Sequence, residues 1–329
     1  QQAERAYRTG NLETAAQTWS DAAIQAHTVE DPTGESRALA HAAAARQGLG
    51  QYQAAIDQLQ QARTLAEQGG DRAHYADMTQ QLGAAWLLLQ DTDAAEPLLD
   101  EAQQIARKRN DTSLEAAIAD SLGTLEQFRG NNAAATEHYA HGMVLADRLG
   151  DITLQARIAT NAGELSLRAA NHAAADTWLA RARTATDKLP DSRDKAYQLI
   201  RIARLQQQLA EALPERRTAL IRSAYTGLNS AEQIADRIGD PRARSWASGY
   251  LGELYESQGR TADAMSLTRR AIYAIQGLHA PELLFRWEWQ QGRLLKAKGH
   301  NEGAIKNYRK AIHTLHSVRT ELAASLERS

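Results

Sequence analysis

Small side chains recur at a fixed interval along the whole chain, and this interval constrains the fold more than any other feature. One series, spaced by 40 residues except for one step of 49, consists of Ala15, Ala55, Ala95, Ala135, Ala175, Ala224, Ala264 and Ala304. A second series lies seven residues later, from Ala22 to Ala311, and a third runs from Ala3 to Gly292. Three series in one register predict an array of about eight helix pairs rather than a globular core.

The residues between the series predict where the helices begin and end. Ala or Gly lets two helix backbones approach closely, and spacings of three, four and seven keep the contacts on one face. Gly-Asp pairs combine a helix-ending residue with a helix-capping one, so we expect an all-α chain without strands. The predicted junctions lie near Asp31, Asp71, Asp111, Asp151, Asp191 and Asp240.

The register divides residues 1–329 into one solenoid of eight repeats, at about 1–30, 31–70, 71–110, 111–150, 151–190, 191–239, 240–280 and 281–329. The sixth repeat carries nine extra residues around Gln207 to Ile221, including Pro214. Because proline breaks a helix interior, we predict two longer helices that meet at Leu213-Pro214; a loop insertion is the alternative. The last helix is predicted to extend an apolar stripe through Ile312, Leu315, Val318, Leu322 and Leu326.

The positions of Leu251-Gly252, Tyr255, Gly259, Ala264 and Ala271 resemble the tetratricopeptide repeat, in a 40-residue form with a Gly-Asp junction. The resemblance covers essentially the whole chain. The aromatic position of the first helix, occupied by Tyr255 in this repeat, is occupied in other repeats by Trp86, Glu126, Ser166 and Leu295. The resemblance implies a right-handed α-solenoid superhelix whose first helices line a concave, partner-binding surface. The segments Gln1 to Trp19 and Tyr308 to Leu322 also resemble the repeat region that precedes a CHAT (caspase-like) protease domain in bacterial proteins.

Composition excludes several classes of function. Zero Cys removes disulfides, thiol catalysis and Cys-ligated zinc. A mean hydropathy of −0.54 without a long apolar run predicts no membrane span. The chain begins with Gln1 and shows no signal-peptide pattern, so we expect a processed or excised piece, and the compartment stays undecided between bacterial cytoplasm and periplasm.

No constellation of residues predicts an enzyme. His138 with His141, and His313 with His316, are spaced by three residues but have no third metal ligand at a suggestive spacing, so we interpret them as surface histidines. Gly69-Gly70 is interpreted as a helix end, since no phosphate-binding loop or dinucleotide fingerprint occurs. We expect no catalytic residue, no metal and no cofactor.

Charge is divided between the two parts of the chain. Residues 1–180 carry 13 Lys and Arg against 24 Asp and Glu, whereas residues 181–329 carry 25 against 16. This division reflects either drift of solvated faces or a docking role, including self-association of the acidic and basic halves. Nucleic-acid binding is not expected, because the basic residues are interleaved with acids and no aromatic platform accompanies them.

The resemblance places a partner site on the first helices of repeats five to eight. The implied lining is Asn161, Glu164, Arg168, Tyr197, Arg201, Arg204, Trp246, Tyr250, Glu253, Arg286, Trp289 and Arg293. Repeats three and four add Asp77, Gln80, Ala84, Leu87, Asp120, Thr124, Gln127 and Phe128, and further positions in repeats five and six are Arg157, Thr160 and Gln208. Trp246 and Trp289 are predicted to face the groove, and Trp287 to pack between helices.

Trp, Tyr and Arg dominate binding hot spots, so we predict a protein- or peptide-binding scaffold that serves as the recognition or regulatory arm of a larger protein. The alternative is a sensor domain that binds a small ligand or signalling peptide and controls an attached effector. The Lys and Asn carboxylate clamp of chaperone-binding tetratricopeptide proteins is not reproduced at the matching positions.

Overall fold

The computed structural model describes residues 1–278 and 280–326. Within them the chain forms sixteen α-helices and no strand, which confirms the predicted all-α class. The helices are α1 (Gln2–Arg8), α2 (Leu12–Thr28), α3 (Pro32–Gly48), α4 (Tyr52–Gln68), α5 (Arg72–Leu88), α6 (Thr92–Arg109), α7 (Thr112–Phe128), α8 (Asn132–Leu149), α9 (Ile152–Arg168), α10 (His172–Asp187), α11 (Arg193–Ala212), α12 (Arg217–Ile238), α13 (Pro241–Ser257), α14 (Thr261–Ala274), α15 (Pro281–Ala297) and α16 (Asn301–Leu326). None of these described helices combines the length and apolarity that a membrane span requires.

The helices pack in successive pairs within two units. Unit 1 (Gln1–Leu189) contains α1 to α10, and unit 2 (Pro190–Ser329) contains α11 to α16. Each odd-numbered helix, called a first helix below, packs against the even-numbered second helix that follows it. Each second helix within a unit then packs against the next first helix, and several neighbouring first helices also touch. This is the predicted arrangement of helix pairs.

Small residues lie where the paired helices cross. The alanines of the series from Ala15 to Ala264 are fully buried, and Ala304 is 2% exposed. On the first helices, glycine makes room for a large partner: a Cβ on Gly123 would lie 2.5 Å from Cε1 of Tyr139. The register read from the sequence is therefore the register of the helix contacts.

Aspartate caps five of the six predicted junctions. The side chains of Asp31, Asp71, Asp111, Asp151 and Asp240 accept hydrogen bonds from backbone N–H groups of the following helix. The residue before each of them has a positive φ, between 54° and 75°, which ends the preceding helix.

The prediction that Asp191 would cap α11 is wrong. Ser192 is the cap, and its Oγ accepts from the backbone N–H of Lys195 at 3.2 Å. The preceding residue is Pro190, whose ring fixes φ near −65° and forbids the left-handed conformation used at the other junctions. Asp191 instead accepts hydrogen bonds of 3.0 and 2.7 Å from the guanidinium of Arg237.

The nine extra residues of the sixth repeat lengthen both of its helices. α11 has 20 residues and α12 has 22, whereas most other helices have 17 or 18. α12 begins seven residues before Ala224, but α14 begins three residues before the matching Ala264. The extra length at the start of α12 is therefore about one helical turn.

On the last helix, Ile312 and Leu315 of the predicted apolar stripe are 48% and 38% exposed. The side chains of Val318, Leu322 and Leu326 lie outside those that the structure describes.

The buried alanines give a test of the register. We expect Ala264→Leu to lower the free energy of unfolding by about 1–3 kcal/mol, because the larger side chain has no space between α13 and α14. Ala262→Leu, on the exposed side of the same helix, is the matched control. Denaturant unfolding followed by circular dichroism measures both, and equal midpoints for the two variants would contradict the register.

Candidate functional site

First helices α5, α7 and α9 form a continuous face in unit 1, and α11, α13 and α15 form one in unit 2, because the helices of each set contact one another in sequence. All twelve predicted partner-binding residues lie on first helices. Unit 1 carries Asn161, Glu164 and Arg168, and unit 2 carries Tyr197, Arg201, Arg204, Trp246, Tyr250, Glu253, Arg286, Trp289 and Arg293. The predicted lining therefore consists of two sets, one in each unit.

Four of the unit 2 residues form a stack, called the arginine–aromatic array below. The guanidinium of Arg204 lies 4.3 Å from the ring centre of Tyr250. The rings of Tyr250 and Trp246 are stacked, 5.2 Å apart and 22° from parallel. The guanidinium of Arg286 lies 5.5 Å from the Trp246 ring. Cation–π and ring contacts thus join α11, α13 and α15 through one row of side chains.

Trp287 packs against the buried side of the array. It is fully buried, as predicted, and its Nε1 donates a hydrogen bond of 3.0 Å to Oγ of Ser245. Its ring contacts those of Trp246 and Tyr250 edge to face, at 5.6 and 5.5 Å. A Cβ on Gly249 would lie 2.3 Å from the indole, so a glycine is needed here. Trp246 is consequently only partly exposed, because Trp287 covers part of its ring.

Carboxylates neutralise most of the arginines on this face. Arg204 donates to Glu253 at 2.5 Å, and Arg293 donates to Glu256 through two bonds of 3.0 and 2.9 Å. The hydrogen bonds to Glu256 raise the pKa of Arg293. Arg286 differs: it is exposed and forms no ion pair within residues 1–278 and 280–326. Arg286 is therefore the cation of the array that a partner can reach.

Two aromatic residues of the predicted lining have different surroundings. Burial raises the pKa of Tyr197, and the guanidinium of Arg193 lies 4.4 Å from its ring. Tyr197 is thus packed into the unit. Trp289 is 45% exposed, and its ring centre lies 4.8 Å from that of Tyr308 on α16. Trp289 therefore has a large exposed apolar surface, and its contact with Tyr308 fixes the position of the ring.

In unit 1, the predicted residues Asp120 and Asn161 connect the neighbouring first helices α7 and α9. Asp120, whose side chain is 7% exposed, accepts hydrogen bonds from Asn161 Nδ2 at 2.8 Å and from Arg157 Nε at 2.6 Å. Arg168 and Glu164 form an ion pair of 2.6 Å on α9. Asp120 and Asn161 are therefore engaged within unit 1, whereas the side chain of Arg168 stays 60% exposed.

Three residues expected to line the face in repeats three and four are buried instead. Leu87 is 4% exposed and packs in the core. Gln80 is 7% exposed and donates a hydrogen bond of 2.9 Å to Ser121. Asp120 is buried by the contacts just described. These three side chains meet the next helix pair rather than solvent, a distinction that helical spacing alone does not make. Thr160, expected to line the face in repeat five, is also fully buried, and its Oγ1 donates a hydrogen bond of 2.7 Å to the carbonyl of Ala156.

A groove in unit 1 was missed by sequence reasoning. It has a volume of about 620 Å³ and lies on α3, α5 and α7. Its charged lining includes Arg37, His41, His74 and Asp77. Arg37 is exposed and has no ion pair among the described residues. The sequence did contain a signal for this groove. Arg37 and His41 are four residues apart on one first helix, and His74 and Asp77 are three apart on the next, so each pair lies on one side of its helix.

Hydrogen bonds and burial together determine the protonation of His74 and Asp77 in this groove. Ser36 Oγ donates to the carbonyl of Ala62 at 2.6 Å, so His74 Nε2 must donate to Ser36 Oγ across their 2.8 Å contact. Burial lowers the pKa of His74, which favours the neutral ring with Nδ1 as acceptor. Burial also raises the pKa of Asp77, although Gln81 Nε2 donates to its Oδ2 at 3.1 Å. The hydrogen bond from Gln81 therefore does not fully compensate the Asp77 carboxylate for its lost hydration.

The described residues contain no group of three or more His, Asp or Glu side chains placed to hold a metal ion. His138 and His141 lie on α8 and His313 and His316 on α16.

Solved structures share this architecture. A STAND ATPase with a tetratricopeptide repeat sensor from Pyrococcus horikoshii has a TM-score of 0.62 at 16% identity, over 87% of this chain and 43% of its own. The quorum sensor NprR from B. thuringiensis has 0.59 at 14%, over 94% and 87%. A Rap protein complexed with Competence and Sporulation Factor has 0.51 at 15%, over 81% and 75%. No protein-family model and no curated protein matches the sequence.

These likenesses show the fold, which is a helical repeat of the tetratricopeptide type. The chain spans less than half the length of the ATPase.

The raised pKa of Asp77 gives a pH-dependent prediction. Since the folded state holds this proton more tightly than the unfolded state, stability is lost as pH rises from the ordinary carboxyl value of 3.8 through the raised value. We therefore expect Asp77→Asn to raise the melting temperature at about pH 7 and to have little effect at about pH 3. Asp57→Asn is the control, because Asp57 is exposed and accepts the same kind of bond from Gln53. A variant no more stable than the parent at neutral pH would contradict the burial of Asp77.

Proposed function

We propose that this chain is a protein- or peptide-binding scaffold, without catalysis of its own, and that its partner binds the first-helix face of unit 2. The observation that carries the proposal is the arginine–aromatic array. Rigid aromatic rings provide contact area at low cost in side-chain entropy, and arginine provides forked hydrogen bonds to carboxylates. Arg286 and Trp289 are the exposed members of this face, and they lie three residues apart on α15.

The chemistry of these residues defines the partner. Arg286 is available to bind a carboxylate of the partner, because no acidic group pairs with it in the described part of the chain. Trp289 and the exposed part of Trp246 can pack against an apolar side chain. An extended or helical segment with acidic and apolar residues supplies both groups. Phosphodiester backbones are a poorer match, since Glu253 and Glu256 already neutralise Arg204 and Arg293.

A second candidate function is a sensor domain that binds a small ligand or signalling peptide and controls an attached effector. The groove of unit 1 supports it, because about 620 Å³ lies within the size range of small-molecule sites. The fold likeness to a quorum sensor and to a repeat sensor of an ATPase agrees with this role. The resemblance to the repeats before CHAT domains supports, as the effector, a bacterial caspase-like protease. Self-association through the acidic and basic halves is a third arrangement, which the oligomeric state would test.

The binding proposal is tested with a displayed random-peptide library. We expect the full chain to select peptides that combine Asp or Glu with aromatic or aliphatic residues. Arg286→Glu and Trp289→Ala should each weaken a selected peptide by at least about 2 kcal/mol, because hot-spot residues carry most of the binding energy. Arg269→Glu is the control for Arg286→Glu. Arg269 is exposed on the second helix α14, and its replacement by Glu changes the net charge by the same amount. Trp246→Ala is less suitable, because Trp246 also packs on Trp287.

Circular dichroism on the same samples shows whether the variants fold. Selected peptides that bind both variants as tightly as the parent would exclude this face as the site. Loss of binding in the Asp77→Asn variant alone would favour the groove of unit 1 and the sensor role.

A further inference from the structure

Unit 2 contains a second cavity that shares no residue with the arginine–aromatic array. It has a volume of about 480 Å³ and lies between the start of α12, the end of α13 and the turn that leads to α14. Its lining is Arg217, Thr218, Ile221, Arg222, Tyr225, Leu254, Tyr255, Gln258 and Arg260.

The long sixth repeat builds this cavity. If α12 began three residues before its buried alanine, as α14 does, its first residue would be Ile221. Arg217 and Thr218 lie in the additional turn, so the inserted residues supply one end of the lining. Thr218, Ile221, Arg222 and Tyr225 then follow at spacings of three, four and seven, which place them on one side of α12.

The charge of the lining is positive and largely uncompensated. Three of its residues are arginines and none is acidic. Arg217 and Arg222 are exposed and form no ion pair in the part of the chain that the structure describes. Arg260 donates to Asp263 at 2.9 Å and lies 4.3 Å from the ring centre of Tyr255. Two free guanidinium groups and one paired group therefore surround the space.

Neutral groups complete the lining. The rings of Tyr225 and Tyr255 meet edge to face with their centres 6.2 Å apart, and Tyr225 is 40% exposed. Burial and the hydrogen bond with Tyr225 raise the pKa of Tyr255, so its phenol stays protonated at neutral pH. The side chains of Thr218 and Gln258 add further hydrogen-bonding groups, and Ile221 and Leu254 add an apolar surface.

We propose that this cavity binds a small organic phosphate. Guanidinium groups make paired hydrogen bonds to phosphate oxygens, and two free arginines match the charge of a phosphate monoester, which approaches −2 at neutral pH. The exposed ring of Tyr225, with Ile221 and Leu254, suits the carbon skeleton that carries the phosphate. A monocarboxylate would leave one of the two arginines without a counter-charge.

Isothermal titration calorimetry on the full chain tests the proposal with three probes: phenyl phosphate, inorganic phosphate and benzoate. We expect phenyl phosphate to bind more tightly than either of the others, because only it supplies both the dianion and the ring. Arg222→Glu should weaken phenyl phosphate by about tenfold or more, since it removes one cation and adds an anion. Arg217→Gln should weaken it by a smaller factor.

Two controls separate this site from the peptide site. Arg269→Glu makes the same change of charge outside the lining, and Arg286→Glu makes it in the arginine–aromatic array; both should bind phenyl phosphate as the parent does. No measurable binding of phenyl phosphate to the parent would overturn the proposal. So would benzoate binding as tightly as phenyl phosphate, or equal weakening by Arg222→Glu and Arg269→Glu. Should Arg222→Glu fail to fold by circular dichroism, Arg217→Gln decides the question against the same controls.

Discussion

The close approach of two helix backbones at alanine and glycine is the interaction on which the rest of this structure depends. Ala264 has no exposed surface, and Gly249 and Gly123 lie against aromatic rings that a methyl group would displace. Because each pair is held at this short distance in the same register, neighbouring first helices come close enough for their side chains to meet. The functional faces of both units are a consequence of that spacing.

Because neighbouring first helices are close, several of their charged residues bind one another. Arg157 pairs with Asp120, and Arg293 pairs with Glu256, each across neighbouring first helices. Such pairs stabilise the face but offer little to a partner, because their hydrogen bonds are already made. A partner is most easily bound by an arginine that has no ion pair among the described residues, and in the arginine–aromatic array that arginine is Arg286. A charge count along a first helix therefore overstates how many charges a ligand can use.

The sequence alone predicted the helix pairs, the buried small residues and five of the six caps, because these depend on neighbours within one or two turns. Asp191 failed as a cap for a local reason, the ring of Pro190, which the sequence also contained. The ion pairs were not predictable in the same way: Arg204 and Glu253 are 49 positions apart, and their contact depends on how α11 crosses α13. The groove around His74 and Asp77 was not predictable from aromatic residues, because its lining contains no Trp, Tyr or Phe.

The central claim is that partners bind the first-helix face of unit 2, and photo-crosslinking tests it most directly. A library-selected peptide with a photoreactive residue beside its acidic position is irradiated with the full chain, and the attachment points are mapped by mass spectrometry. Attachment to first helices near Tyr250, Arg286 and Trp289 is the result predicted here. Attachment confined to second helices, or to the unit 1 groove lined by Arg37 and His74, would contradict the claim.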